Sequence, residues 1–186
     1  MSLFKKDGLS LVELILAVLL LNVVLMAGLS IELGIRRIFL TADVEIVLLN
    51  EAGPILDWVS RDISRGIGTA TDSPLSTVSL GAGNPTYRIR YDSNANGRAD
   101  AADIWVAYRY IDGGGSQYEL WYYPNASNAA HDILSDKVVN FSIGAVTNGV
   151  SVVTVQVRLD PSAAVSMANP EITLTTRVQY ESLSLG

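Results

Sequence analysis

The chain has 186 residues, a net charge of −6 at neutral pH and no cysteine. The acidic balance argues against nucleic acid as a partner, because binding to phosphates needs clustered Lys and Arg residues. The lack of cysteine excludes disulfides, Cys-based zinc sites and Cys nucleophiles, and the length allows one anchoring helix and one domain of ordinary size.

The N-terminus combines a short basic segment with a long apolar run. Residues 1–8 read MSLFKKDG, and residues 9–31 read LSLVELILAVLLLNVVLMAGLSI. A helix needs about 20 apolar residues to cross the hydrocarbon layer of a membrane, so residues 9–31 predict a transmembrane helix. Glu13 is the one ionisable residue in this run. A lone carboxylate at that depth is costly, which indicates a functional partner for it.

The segment Gly8-Leu-Ser-Leu-Val-Glu13 resembles the signature of type IV prepilins and type II secretion pseudopilins. In that family a Gly precedes a hydrophobic residue, and Glu is the fifth residue of the mature chain. The resemblance implies that a prepilin peptidase cuts between Gly8 and Leu9 and methylates the Leu9 amine. It also implies that Glu13 pairs with the N-terminal amine of a neighbouring subunit. Leu9 is a mild departure, because Phe or Met is commoner at this position.

The same resemblance implies a location and a set of partners. Residues 1–8 would be a leader peptide, and residues 9–31 would be the membrane anchor and later the filament core. The partners would be the prepilin peptidase, other pilin or pseudopilin subunits and the inner membrane. We therefore expect a single-pass inner-membrane protein with its head outside the cytoplasm, which then enters a pilus or a pseudopilus.

Three other interpretations of the N-terminus stay open. A secretory signal peptide has a shorter apolar run of about 7–15 residues, although Ala27 and Gly28 resemble a cleavage site. A plain transmembrane anchor explains the length of the run but not Glu13. A core helix of a soluble domain explains neither the basic segment nor the run.

Beyond residue 31, apolar or small residues recur at spacings of three and four, which predicts an amphipathic helix over residues 32–68. The members of this stripe are Ile35, Phe39, Ala42, Ile46, Leu49, Gly53, Leu56, Ile63 and Ile67. Pro54 lacks a backbone donor and predicts a bend, and Gly66 and Gly68 predict the end of the helix. The stripe would seat a β-rich head formed by residues 69–186.

The head has the sequence pattern of short strands. Residues 70–86 are rich in Ser, Thr, Gly, Pro and Asn and predict a surface loop. About six segments with alternating apolar residues follow and predict antiparallel strands, and Asn148-Gly149 predicts a hairpin between two of them. They lie at residues 87–91, 104–110, 118–123, 138–143, 153–159 and 172–180. We therefore expect an α+β fold in which one long helix packs on an antiparallel sheet, as in pilins.

Two further segments resemble a subgroup of this family, the minor pilins and pseudopilins of the PilW and GspJ kind. They are Trp58-Val-Ser-Arg-Asp-Ile-Ser-Arg and Leu134-Ser-Asp-Lys-Val-Val-Asn-Phe-Ser-Ile. The resemblance implies a subunit that primes assembly at or near the tip of a type IV pilus or a type II secretion pseudopilus. A major pilin that forms the fibre body and a pilin-anchored adhesin or binding module are the alternatives.

Residues 92–103 have the ligand spacing of an EF-hand calcium loop. The residues at its six ligand positions are Asp92, Asn94, Asn96, Arg98 (through its carbonyl), Asp100 and Asp103. Gly97 falls where such a loop must turn sharply. Asp103 stands where EF-hands have Glu, as in dockerin-type loops, and a predicted strand replaces the entering helix. An ordinary exposed turn prefers the same residue types and is the alternative.

No constellation of catalytic residues is recognisable in the sequence, so we do not expect an enzyme. The single histidine, His131, lies in a polar segment without a Cys partner, and there is no Gly-x-Ser-x-Gly motif. Apart from Ca²⁺ we expect no cofactor.

Overall fold

A computed structural model describes residues 10–69, 73–79, 85–94, 96–112, 118–180 and 182–184. It has the predicted α+β architecture, with one long helix, α1 (Leu11–Ser64), followed by strands. Over the described residues the strands are β1 (Ile67–Thr69), β2 (Leu75–Ser79), β3 (Pro85–Tyr91), β4 (Ile104–Asp112), β5 (Tyr118–Tyr123), β6 (Asp132–Ser135), β7 (Val138–Ile143), β8 (Val150–Arg158), β9 (Glu171–Gln179) and β10 (Ser182–Ser184).

The chain divides into two units, the first ending at Ala42 and the second beginning at Asp43. In its described part, the first unit consists of Ser10 and α1 up to Ala42. Its large apolar side chains are exposed, and the most apolar 18-residue window of α1 has no buried residue. By length and composition, α1 is able to cross a membrane, and it is the one such helix in the described residues.

The strands of the second unit form three sheets. Strands β2-β3-β4-β5-β6 form a five-stranded antiparallel sheet in this order, and β7-β8-β9 form a three-stranded antiparallel sheet. Strands β1 and β10 pair in parallel, which joins the end of the helix to the end of the chain. Aromatic contacts link the two larger sheets, because the Phe141 ring of β7 lies 5.6 Å from the Tyr87 ring of β3.

The part of α1 from Asp43 onward packs on the sheets with a face that overlaps the predicted one only in part. Its buried residues are Leu48, Ala52, Ile55, Leu56, Val59 and Ile63. The predicted stripe is correct at Leu56 and Ile63 but wrong at Ile46 and Leu49, which are 56% and 44% exposed. Residues 46–49 are all apolar, so two neighbouring stripes are possible and only the contact with the sheet selects one.

The six predicted strands are confirmed as β3, β4, β5, β7, β8 and β9. The hairpin at Asn148-Gly149 is also confirmed, since both residues have the positive φ that a tight two-residue turn between β7 and β8 requires (52° and 76°). The predicted loop over residues 70–86 is wrong at Leu75–Ser79, which form the strand β2 and pair with β3 although their sequence is largely polar. The helix ends at Ser64, and Ile67 belongs to β1 rather than to the helix stripe.

A buried polar contact fixes α1 to the five-stranded sheet. The Tyr108 hydroxyl donates a hydrogen bond of 2.6 Å to Oδ2 of Asp62, and the Tyr108 side chain is fully buried. Burial raises the pKa of the Asp62 carboxyl, and the hydrogen bond from Tyr108 offsets only part of that effect. The charged form of Asp62 therefore destabilises the folded chain relative to the protonated form.

We expect the substitution Asp62→Asn to change how stability depends on pH. Because the folded-state pKa of Asp62 is raised, its favourable contribution is complete below the unfolded-state pKa and is lost as the pH rises through the folded-state value. The amide accepts the same Tyr108 hydrogen bond without a charge. The melting temperature of Asp62→Asn relative to wild type should therefore rise as the pH increases above the unfolded-state pKa of about 4.

The measurement is thermal unfolding of the full chain in detergent over that pH range. Asp57→Asn is the matched control, because Asp57 lies on an exposed face of the same helix. A difference between Asp62→Asn and wild type that is the same at every pH would contradict this explanation.

Candidate functional sites

The predicted processing residues, Gly8 and Leu9, lie outside the described residues. Glu13 lies in the first turn of α1 and forms a reciprocal pair of hydrogen bonds with Ser10. The Ser10 backbone N–H donates to Glu13 Oε2 at 2.8 Å, and the Glu13 backbone N–H donates to Ser10 Oγ at 3.2 Å. This arrangement is a capping box, in which the two side chains satisfy backbone donors that a helix N-terminus leaves open.

The capping box gives Glu13 a structural partner that sequence analysis did not predict. The Ser-x-x-Glu spacing of residues 10–13 is the signal that would have shown it. A carboxylate has about four acceptor positions, so one hydrogen bond to Ser10 leaves Glu13 able to accept a further cation. Glu13 can therefore cap its own helix and pair with a second group at the same time.

The surroundings of Glu13 are apolar and exposed. Leu11, Leu14 and Leu16 are 74%, 55% and 54% exposed, and no other charged residue occurs before Glu32 in the described part of the helix. Arg36 lies one helical turn after Glu32, and its guanidinium Nη2 donates a hydrogen bond of 2.6 Å to Glu32 Oε1. The helix thus carries one carboxylate near its start, an uncharged apolar stretch, and then an ion pair on its surface.

The predicted calcium loop, residues 92–103, connects β3 to β4 and is tightly organised around Asp92. Its Oδ2 accepts the backbone N–H of Gly97 at 2.7 Å, and its Oδ1 accepts that of Asn96 at 3.2 Å. Gly97 has a φ of 71°, a conformation that glycine adopts at little cost. The sharp turn expected at the sixth position is therefore present.

The other predicted ligands close the loop through their side chains. Oδ2 of Asp100 accepts hydrogen bonds from the side-chain amides of Asn96 at 2.7 Å and Asn94 at 3.2 Å, and Oδ2 of Asp103 accepts the Asp100 backbone N–H at 2.7 Å. The pKa of the Asp100 carboxyl is lowered by the hydrogen bonds that it accepts. In decreasing order of effect, their donors are the Asn96 side chain, the Ala102 backbone N–H and the Asn94 side chain. Asp100 is therefore a carboxylate at neutral pH.

The oxygen atoms of this loop meet only part of the requirements of a hard cation such as Ca²⁺. Asp103 Oδ1 is shielded from water and has no hydrogen-bond partner in the described residues. A cation or a hydrogen-bond donor at this oxygen would therefore be favourable. The described residues contain no group of three His, Asp or Glu side chains already close enough together to hold a metal ion. Ca²⁺ would require Asn94 and Asn96 to turn their amide oxygens inward, where their NH₂ groups now meet Asp100.

Comparisons of the chain with protein-family models, with curated proteins and with solved structures found no match.

Proposed function

We propose that this chain is a prepilin-like subunit: a protein that is cut after Gly8, anchored by the first part of α1, and assembled with sibling subunits into a filament. The observation that carries the proposal is Glu13, a single carboxylate at the start of an exposed apolar helix and five residues after Gly8. In lipid or in a filament core, that carboxylate gains free energy from an adjoining positive charge.

The chemistry of assembly would use the new N-terminus. Cleavage after Gly8 would free the Leu9 amine, which is four residues before Glu13 in the sequence. A helix N-terminus favours a nearby carboxylate, so the Ser10–Glu13 pair would hold the carboxylate in place for the amine of the next subunit. The exposed apolar surface of the helix would then be covered by lipid before assembly and by other helices after it.

Within this class, we propose a minor subunit that primes assembly of a type IV pilus or a type II secretion pseudopilus. The segments that begin at Trp58 and at Leu134 support this subtype by resemblance. A major pilin that forms the fibre body is the second candidate, and a pilin-anchored adhesin is the third. The number of copies per filament separates the first two, because a fibre body contains many copies and a priming subunit few.

The test is co-assembly in a cell that carries a type IV filament machine. We expect the chain to appear in the sheared filament fraction together with other subunits. A Gly8→Val precursor should remain in the membrane fraction, since a bulky residue blocks cleavage. Equal recovery of wild type and Gly8→Val in filaments would argue against the proposal.

We also propose that the loop of residues 92–103 binds Ca²⁺ and stabilises the head. Asp92, Asp100 and Asp103 would supply carboxylate oxygens, Asn94 and Asn96 amide oxygens, and Arg98 its backbone carbonyl. A bound Ca²⁺ would neutralise three carboxylates that stand close in sequence and would give Asp103 Oδ1 its partner. A chain without disulfides gains stability from such an ion because the ion binds the folded state alone.

Calcium should raise the melting temperature of the full chain in detergent by about 5 °C at saturation, compared with EGTA. Asp100→Asn and Asp103→Asn should abolish the increase, while Asp136→Asn, an exposed carboxylate in the turn between β6 and β7, should retain it. Mg²⁺ is the control for charge alone, because this ion demands a smaller octahedral site. A melting temperature that EGTA leaves unchanged removes calcium from the account without affecting the filament proposal.

A further inference from the structure

A cavity of about 290 Å³ lies on the five-stranded sheet. Its lining residues Ala107 and Tyr123 alternate along their strands with Tyr108 and Tyr122, which contact α1, so the cavity is on the sheet face that points away from α1. Thr86 and Arg88 of β3, Ala107 of β4 and Tyr123 of β5 form its floor, and residues 126–129 form its wall. Arg88, Ala107 and Tyr123 are direct cross-strand neighbours. The small Ala107 side chain between two large ones is what leaves the space open.

The wall of the cavity is held in place by the sheet. The Ala126 backbone N–H donates to the Trp105 carbonyl at 2.6 Å, and Asn125 Oδ1 accepts the Ser127 backbone N–H at 2.9 Å. Further along, the His131 ring stacks on Trp121 with centroids 3.9 Å apart. The segment between β5 and β6 is thus fixed at both ends, and the cavity is part of the fold.

Two polar atoms of the residues that line this cavity have no hydrogen-bond partner in the described part of the chain. They are Thr86 Oγ1 and Arg88 Nε, and both are shielded from water. Thr86 is 2% exposed, so its hydroxyl is buried in full. An unpartnered buried hydroxyl costs free energy and an unpartnered guanidinium nitrogen costs more, so each of these two atoms calls for a partner such as a water or a ligand.

The charge on this face is opposite to that of the chain as a whole. Arg90 follows Arg88 on the same face and lies over the Trp105 ring at 4.8 Å, and Arg109 stands across from Thr86 on β4. Three guanidinium groups therefore share one face of a chain with a net charge of −6. Glu119 of β5 lies on the same face and accepts a hydrogen bond from Trp121 Nε1, so positive charge predominates there but is not alone. A concave site in which one charge sign predominates attracts ligands of the other sign.

We propose that this cavity binds a small carboxylated sugar. Arg88 would bind the carboxylate, since its planar fork matches that group in a bidentate manner after a small rotation of the side chain. Thr86, Ser127 and Asn128 would bind hydroxyl groups, and Tyr123 and the alanines would contact the carbon face of the ring. The volume is at the lower limit of small-molecule sites, which fits one sugar ring and not an oligosaccharide.

The test is titration calorimetry on the full chain in a polyoxyethylene detergent, which contains no sugar, with glucuronate as the probe. We expect a Kd below about 10 mM, with glucose and inorganic phosphate each at least about tenfold weaker. Arg88→Gln should weaken glucuronate binding at least about tenfold. Arg177→Gln should not, because Arg177 is an exposed residue of β9, in the other large sheet.

Thr86→Val separates binding from folding. Valine has the shape of threonine without the hydroxyl, so the variant should melt at the same temperature or higher, while glucuronate binding weakens several-fold. No glucuronate binding at about 10 mM, phosphate binding as tight as that of glucuronate, or unchanged affinity in both Arg88→Gln and Thr86→Val would each overturn the proposal.

Discussion

Replacing Glu13 by Gln should reduce incorporation of the chain into filaments at least about tenfold. Gln keeps the hydrogen bond to the Ser10 backbone but removes the charge that would attract the amine of a neighbouring subunit. The measurement is the amount of the chain in sheared filaments, with the amount in membranes as the reference. The level in membranes should stay unchanged, since Gln is easier than Glu to place in lipid.

Two matched variants distinguish pairing between subunits from capping within one helix. Ser10→Ala removes the side chain that accepts the Glu13 backbone N–H but keeps the carboxylate, so assembly should be close to wild type. Glu45→Gln removes an exposed carboxylate farther along the same helix and should also have little effect. If Ser10→Ala lowers assembly as much as Glu13→Gln does, an intact first helical turn rather than the charge of Glu13 controls assembly, and the pairing hypothesis is wrong.

Replacing Tyr108 by Ala should lower the free energy of unfolding of the head by about 4 kcal/mol. The Tyr108 ring is fully buried between the rings of Tyr122 and Phe141, at 5.3 and 6.0 Å, and its hydroxyl bonds Asp62 on α1. Truncation therefore leaves a cavity where the helix meets the sheet and removes the donor that Asp62 now has. The melting temperature of the full chain in detergent should fall by on the order of 10 °C.

The variant Tyr108→Phe separates the contribution of the ring to stability from that of the hydroxyl. It keeps the ring and removes the hydroxyl, so the loss should be about 1–2 kcal/mol. Tyr91→Ala is the control at the end of β3, where the side chain is 36% exposed, and should cost much less than Tyr108→Ala. Equal losses for Tyr91→Ala and Tyr108→Ala would mean that Tyr108 is not the centre of the core.

Features set by neighbours in sequence were predictable. The α+β architecture, six of the strands and the Asn148-Gly149 hairpin follow from residue patterns within a few positions of each other. The turn at Gly97 and the bonds around Asp92 likewise lie inside one short loop. The Ser10–Glu13 capping box is also local, and the Ser-x-x-Glu spacing is its sequence signal.

Features set by distant contacts were not predictable. Strand β2 is polar and exists because Leu75 pairs with Ile89 of β3, and β1 pairs with β10 across more than a hundred residues. The sequence does not show which face of α1 meets the sheets, because the helix is apolar on several sides. The cavity at Arg88 and Tyr123 needs three strands in register before it exists. Gly8, Leu9 and the pairing of Glu13 remain predictions.

The mass of the mature N-terminal peptide tests the central claim most directly. After expression in a cell with a prepilin peptidase, the account predicts a chain that begins at Leu9 and carries one extra methyl group on its amine. A chain that begins near Gly28, as after removal of a secretory signal peptide, or one that keeps residues 1–8, would contradict the account.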